Sequence, residues 1–230
     1  MRSRALVVAL LLVAVSWPVA AEAAPGLPAN FSASTVASGL QPPTAFDFAP
    51  DGRLFIAEQR GVVKVYDDLE DTTATIFADL RTKVHNYLLR GLLGLVVDPQ
   101  FPERPYVYVM YVYDAPVGGT APTYGTAGQD SDPCPPDADG GCPASARISR
   151  LVADGNTMST ETVLVKDVCL QIPIHGGGGM AISPEGALYV SVGDGAGADP
   201  EFGTRATPPN PCGDPPTGPE DLFRLPEPPV

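Results

Sequence analysis

Short apolar runs with a two-residue alternation, separated by turns rich in Pro, Gly and Asp, fill the chain from residue 40 to residue 195. That is the pattern of half-buried strands rather than helices. Three segments share a plan. The first runs Phe46-Asp47-Phe48-Ala49, turns at Pro50-Asp51-Gly52 and leaves as Leu54-Phe55-Ile56-Ala57-Glu58, with Val62-Val63-Lys64-Val65-Tyr66 behind it. In the second, Gly91-Leu92-Leu93-Gly94-Leu95-Val96-Val97 meets Asp98-Pro99 and continues into Tyr106-Val107-Tyr108-Val109-Met110-Tyr111-Val112-Tyr113. The third carries Met180-Ala181-Ile182 through Pro184-Glu185-Gly186 into Leu188-Tyr189-Val190. Gly tolerates a positive φ and Pro presets the bend, so the Pro-acid-Gly stretches predict hairpins.

Repeated hairpins without a long amphipathic helix predict an all-β fold, with each repeat one antiparallel blade of a β-propeller. A β-sandwich is the rival architecture. The second blade is interrupted by an insertion over residues 114–146, rich in Gly, Pro and Asp. Arg147-Ile148-Ser149-Arg150-Leu151-Val152 and Thr162-Val163-Leu164-Val165 then predict its outer strands. Residues 24–206 make the propeller part, and residues 207–230 are a Pro-rich tail expected to be disordered.

The start of the chain changes the picture of where the protein works. Arg2 and Arg4 precede an apolar run over residues 5–15, and Ala21-Glu22-Ala23 offers a small-x-small cleavage pattern. Residues 1–23 read as a secretory signal peptide, so a secreted or periplasmic location is expected, with no membrane span. Four cysteines in an exported chain read as disulfides, which four thiols can form in three ways. Cys134 with Cys142 closes a short loop, leaving Cys169 with Cys212 to pin the tail. A zinc site is set aside, because no Cys-x-x-Cys pair is present and histidine is scarce. The formal charge of −13, from 27 acidic against 14 basic residues, repels phosphate and anionic lipid and argues against nucleic-acid partners.

Candidate chemistry concentrates at Ile174-His175-Gly176-Gly177-Gly178-Gly179. An imidazole titrates near neutrality and can take a proton from a bound hydroxyl, and the glycines let backbone or a ligand come close. The plainer alternative is a histidine that only hydrogen-bonds its loop. His85, in Lys83-Val84-His85-Asn86-Tyr87, is expected to be exposed.

Taken in order, these stretches resemble the soluble quinoprotein glucose/sorbosone dehydrogenases. The matching pieces are residues 43–52 with Glu58, Arg90-Gly91-Leu92-Leu93-Gly94-Leu95 with Asp98-Pro99, and His175 with its glycines and Gly193-Asp194-Gly195. The resemblance implies a six-bladed propeller using pyrroloquinoline quinone (PQQ) and Ca2+, of which about three blades are present here. It implies that His175 is the base that takes the hydroxyl proton of a sugar, with an electron acceptor as further partner. It places Arg90 as a weak candidate for cofactor contact, its alternative being a solvated loop arginine. Asp194 is a weaker candidate, since Gly-Asp-Gly commonly makes a turn. Ile174 and Leu89 stand where characterised members carry polar groups. The residues that grip the quinone, and the calcium loop, belong to later blades. The chain is therefore expected to be an incomplete, inactive part of a sugar dehydrogenase. The alternatives are an extracellular propeller that binds carbohydrate or protein without catalysis, and a metal-dependent lactonase, for which no ligand cluster can be assembled.

Overall fold

The computed structural model describes residues 26–136, 142–193 and 212. The predicted signal segment, Asp194 and the Pro-rich tail apart from Cys212 lie outside the described residues. The chain divides into two units, residues 1–35 and residues 36–230. In the first, residues 26–35 are exposed and hold one turn, the Phe31 N–H donating to the Pro28 carbonyl at 3.1 Å.

Among its described residues the second unit holds ten strands and no helix. β1 (Pro43–Phe48), β2 (Leu54–Glu58), β3 (Val62–Tyr66) and β4 (Thr75–Asp79) form an antiparallel meander. β5 (Leu92–Val97), β6 (Tyr106–Tyr113), β7 (Ala144–Asp154) and β8 (Thr157–Leu170) form a second one in the same order. β9 (Met180–Ile182) and β10 (Leu188–Val190) pair as a hairpin. Two complete blades and the start of a third give the propeller architecture expected from the repeats.

The recurring turn is the same in both places where its sequence recurs. Ala49 N–H donates to the Arg53 carbonyl at 2.8 Å and Gly52 N–H to the Ala49 carbonyl at 3.0 Å; Ser183, Ala187 and Gly186 repeat this at 2.9 and 2.8 Å. Gly52 and Gly186 both take a positive φ, +100° and +85°, which explains the glycine after the acid.

The two-residue period of β6 decides how the blades stack. Val107, Val109, Tyr111 and Tyr113 pack with Phe55, Ala57, Val63, Val65 and Phe77 of the first sheet. Met110 and Val112 point the other way, joining Ala146 and Leu170, with Met180 and Val190 of the hairpin packed against them. β6 is therefore buried on both faces, as a strand between two neighbours must be. β1 turns Asp47 inward, where its carboxylate accepts the Val97 N–H at 2.9 Å, and leaves Phe46 and Phe48 exposed.

Both expected disulfides are present, Cys134–Cys142 and Cys169–Cys212. The first closes the insertion; the second holds the end of β8.

Candidate active site

The stretches singled out in the sequence meet at one place. Gln59, just past β2, accepts the Leu92 N–H on its carbonyl at 2.8 Å. Its amide donates to the carbonyls of Leu88 (2.7 Å) and Arg90 (3.0 Å). Thr44 of β1 donates its hydroxyl to the Leu92 carbonyl at 2.6 Å. Next to Gln59, Glu58 is fully buried, accepting the Gln41 N–H at 2.8 Å and pairing with Lys64 at 2.7 Å and Arg60 at 2.8 Å. Burial opposes its charge, but these partners hold the carboxyl below its ordinary range. The loop so gripped reaches the histidine segment: the Leu89 N–H donates to the Pro173 carbonyl at 3.1 Å.

The glycines after His175 are filled by the protein's own backbone. A Cβ at Gly178 would stand 2.7 Å from the Leu93 carbonyl, and one at Gly177 would stand 2.5 Å from that of Ser191. Gly94 of β5 is bare for the matching reason, since a Cβ there would collide with the Gly178 carbonyl and the Met180 side chain. Gly178 N–H donates to Ser191 O at 3.1 Å, and Ser191 N–H to Gly179 O at 2.8 Å. Of the two approaches that these glycines allow, backbone or ligand, it is backbone that fills Gly177 and Gly178, packed against β5 and the residues that follow β10. The result is a stiff shelf. His175 stands exposed at its edge with a left-handed backbone, φ 57°. Leu88, on the neighbouring loop, is also left-handed at φ 52°, and Leu88 and Leu89 are each 59% exposed. Left-handed non-glycine residues are costly and cluster at functional sites.

Arg90 is not a solvated loop arginine; it is fully buried. Its Nη1 donates to the Cys142 carbonyl at 2.7 Å and to His85 Nδ1 at 3.2 Å, and its Nη2 to the Leu170 carbonyl at 2.9 Å. Burial lowers its pKa to about 10. His85 also departs from expectation, since it is fully buried rather than exposed. The insertion covers it, with the Tyr124 ring packed against it at a tilt of 41° and 4.9 Å between centroids. With Nδ1 accepting from Arg90, the proton sits on Nε2, which donates to the Asp132 carbonyl at 2.8 Å. Burial, helped by the Arg90 charge, lowers its pKa to about 4. Asp114, buried nearby, caps the Thr123 and Tyr124 N–H groups, and burial pushes it up to about 6.

His85 with Cys134 and Cys142 is the one group of possible metal ligands tight enough for an ion among the described residues. Its chemistry does not fit one: both sulfurs are in the disulfide and Nε2 carries a proton. Sequence reasoning missed Gln59, Thr44 and the buried role of His85, which no local pattern announces. Asp194 lies outside the described residues. At the edge of the shelf, His175 presents an exposed imidazole, a group able to exchange a proton with a bound hydroxyl. The adjacent cation, Arg90, is enclosed, so these side chains do not by themselves fit the anionic quinone.

The glucose/sorbosone dehydrogenase family matches residues 40–207. Among solved structures, an oxidoreductase of Thermus thermophilus described as a glucose dehydrogenase is similar at 28% identity and a TM-score of 0.52, over 70% of this chain and 39% of that one. The PQQ-bound form of an aldose sugar dehydrogenase from Streptomyces coelicolor, 19% identical, shares the fold with a TM-score of 0.52, over 71% of this chain and 41% of that one. The chain thus spans about two fifths of the length of the structures it matches. With the matched stretch running from before β1 past the histidine shelf, the chain belongs to the glucose/sorbosone dehydrogenase family.

Proposed function

We propose that this chain forms the substrate side of an exported, PQQ-type sugar dehydrogenase, with His175 as the base for the sugar hydroxyl. One observation carries the reading: three separated stretches converge to hold an exposed imidazole on a shelf packed closely against β5. Oxidising an alcohol removes a hydroxyl proton and a hydride, and a base within hydrogen-bond reach of the hydroxyl lowers that barrier. His175 takes the proton at a ring nitrogen. The hydride acceptor and Ca2+ need groups beyond the described residues. Two disulfides fit an oxidising compartment. Among the described residues no helix is long and apolar enough to cross a membrane.

The test is a chimera in which residues 40–193 replace the corresponding part of the Thermus thermophilus protein. With PQQ, Ca2+ and an aldose it should reduce an acceptor dye, and His175→Ala should lower kcat by about 10²-fold or more. An unchanged kcat in that variant overturns the assignment. Exposed Leu88 and Leu89 favour a second reading, a carbohydrate-binding surface without catalysis. A folded chimera that binds sugar yet never reduces the dye would select it.

A further inference from the structure

Arg90 is a fully buried cation, and the carbonyl dipoles of Cys142 and Leu170 and the ring of His85 surround it where a carboxylate would be expected. Removing a charge from water is unfavourable unless geometry returns what hydration supplied. Such a group is an expensive way to hold a fold together, and an apolar side chain would serve a merely packed core at least as well. Its planar fork can nevertheless do what an apolar residue cannot, which is to fix several acceptors at set directions.

Those acceptors have a common property. Cys142 is one end of the disulfide that closes the insertion, and Leu170 directly follows Cys169, one end of the other. Leu170 also opens the five-residue approach to His175. Leu89, the immediate neighbour of Arg90, bonds the Pro173 carbonyl partway along that approach. Past His175, Gly176 lies against Leu93, where an added Cβ would find Cδ1 at 3.2 Å. Residues 170–176 are thus held at the start, middle and end by residues 89–93, with Arg90 gripping the first point.

We propose that Arg90 is a positioning residue: its buried guanidinium locks the disulfide-closed insertion and the disulfide-anchored end of β8 onto the loop at residues 88–90, and so sets where His175 stands. The insertion is then a remote support of the base, acting through Cys142 and His85 without touching substrate. The link to catalysis rests on His175 being the base; the link to geometry does not.

The chain has only two histidines, so its imidazoles can be followed by long-range 1H–15N NMR in the whole protein without cofactor. Two variants are compared with wild type, Arg90→Lys and the pair Cys134→Ser/Cys142→Ser, which leaves Arg90 in place. In each, the His175 ring signals should shift and amide exchange over residues 174–179 should rise about tenfold, while β2 and β3 keep their protection. Combining the substitutions should add little, because both release the same clamp. Should Arg90→Lys lose protection in β2 and β3 as well, the cysteine pair decides. His175 signals and exchange over residues 174–179 that match wild type in a folded variant overturn the proposal. Because the readout needs no turnover, it can fail while His175 remains the base, and succeed if His175 is not.

Discussion

The chain's two histidines sit in loops, and their burial runs opposite to what the neighbouring sequence suggests. His85 lies in a stretch with Lys83 and Asn86 yet is sealed under the insertion, its ring bonded on both nitrogens and held neutral. His175 follows an apolar Ile-Pro-Ile run yet stands exposed, on a loop whose rigidity comes from backbone packed on backbone. Burial is therefore set by what a distant segment covers, not by the polarity of neighbours in sequence. A histidine meant to exchange protons needs solvent or substrate on its ring, and one meant to hold a loop needs partners on both nitrogens.

The sharpest way to break this contrast is to unseat the exposed histidine while leaving the buried one alone. Gly94→Ala keeps an ordinary extended backbone but drives a methyl into the Gly178 carbonyl and Met180. It should cost about 3 kcal/mol in chemical denaturation, an overpacking penalty, and raise exchange in β9. A stability within about 0.5 kcal/mol of wild type would mean that the shelf is not pressed on β5.

The buried histidine is tested by pH. Its folded pKa of about 4 lies below the ordinary 6.5, so the unfolded chain binds its proton first. The stability that His85 confers is complete above pH 6.5 and is lost as pH falls toward 4. His85→Gln should therefore be destabilised by about 2 kcal/mol at pH 7.5, with the deficit shrinking steadily between pH 6.5 and 4. Asp114, pushed up to about 6, contributes the opposite slope, losing stability as pH rises from about 4 to about 6, but does so in both proteins and cancels in the difference. A deficit independent of pH would show that the native ring titrates as an exposed one does.

The smallest effect calibrates the first. Gly186 takes a positive φ with nothing near its absent Cβ, so Gly186→Ala carries backbone strain alone, about 1 kcal/mol. Equal losses for Gly186→Ala and Gly94→Ala would remove the distinction between a turn glycine and a packing glycine.

Strand alternation, the Pro-acid-Gly hairpins and both disulfide pairs were legible in the order of residues, because each depends on contacts close along the chain or on counting thiols. The meeting of residues 43–59, 88–94 and 173–179 was legible only as three separate resemblances, since nothing local says that Gln59 will bond Leu88 and Arg90. The exposure of His85 was read wrongly for the same reason. Nothing local says that Tyr124, Asp132 and Cys142 will enclose His85 and Arg90, or that Leu93 and Ser191 will lie against the glycines.

By itself, then, the sequence determined the all-β repeat, the turn geometry and which residue types were on hand for proton transfer, all consequences of period, backbone freedom and side-chain chemistry. Only the tertiary structure decided which histidine meets solvent and which polar groups are enclosed. Burial is a sum over contacts made by segments far apart in the chain, and no local pattern contains that sum.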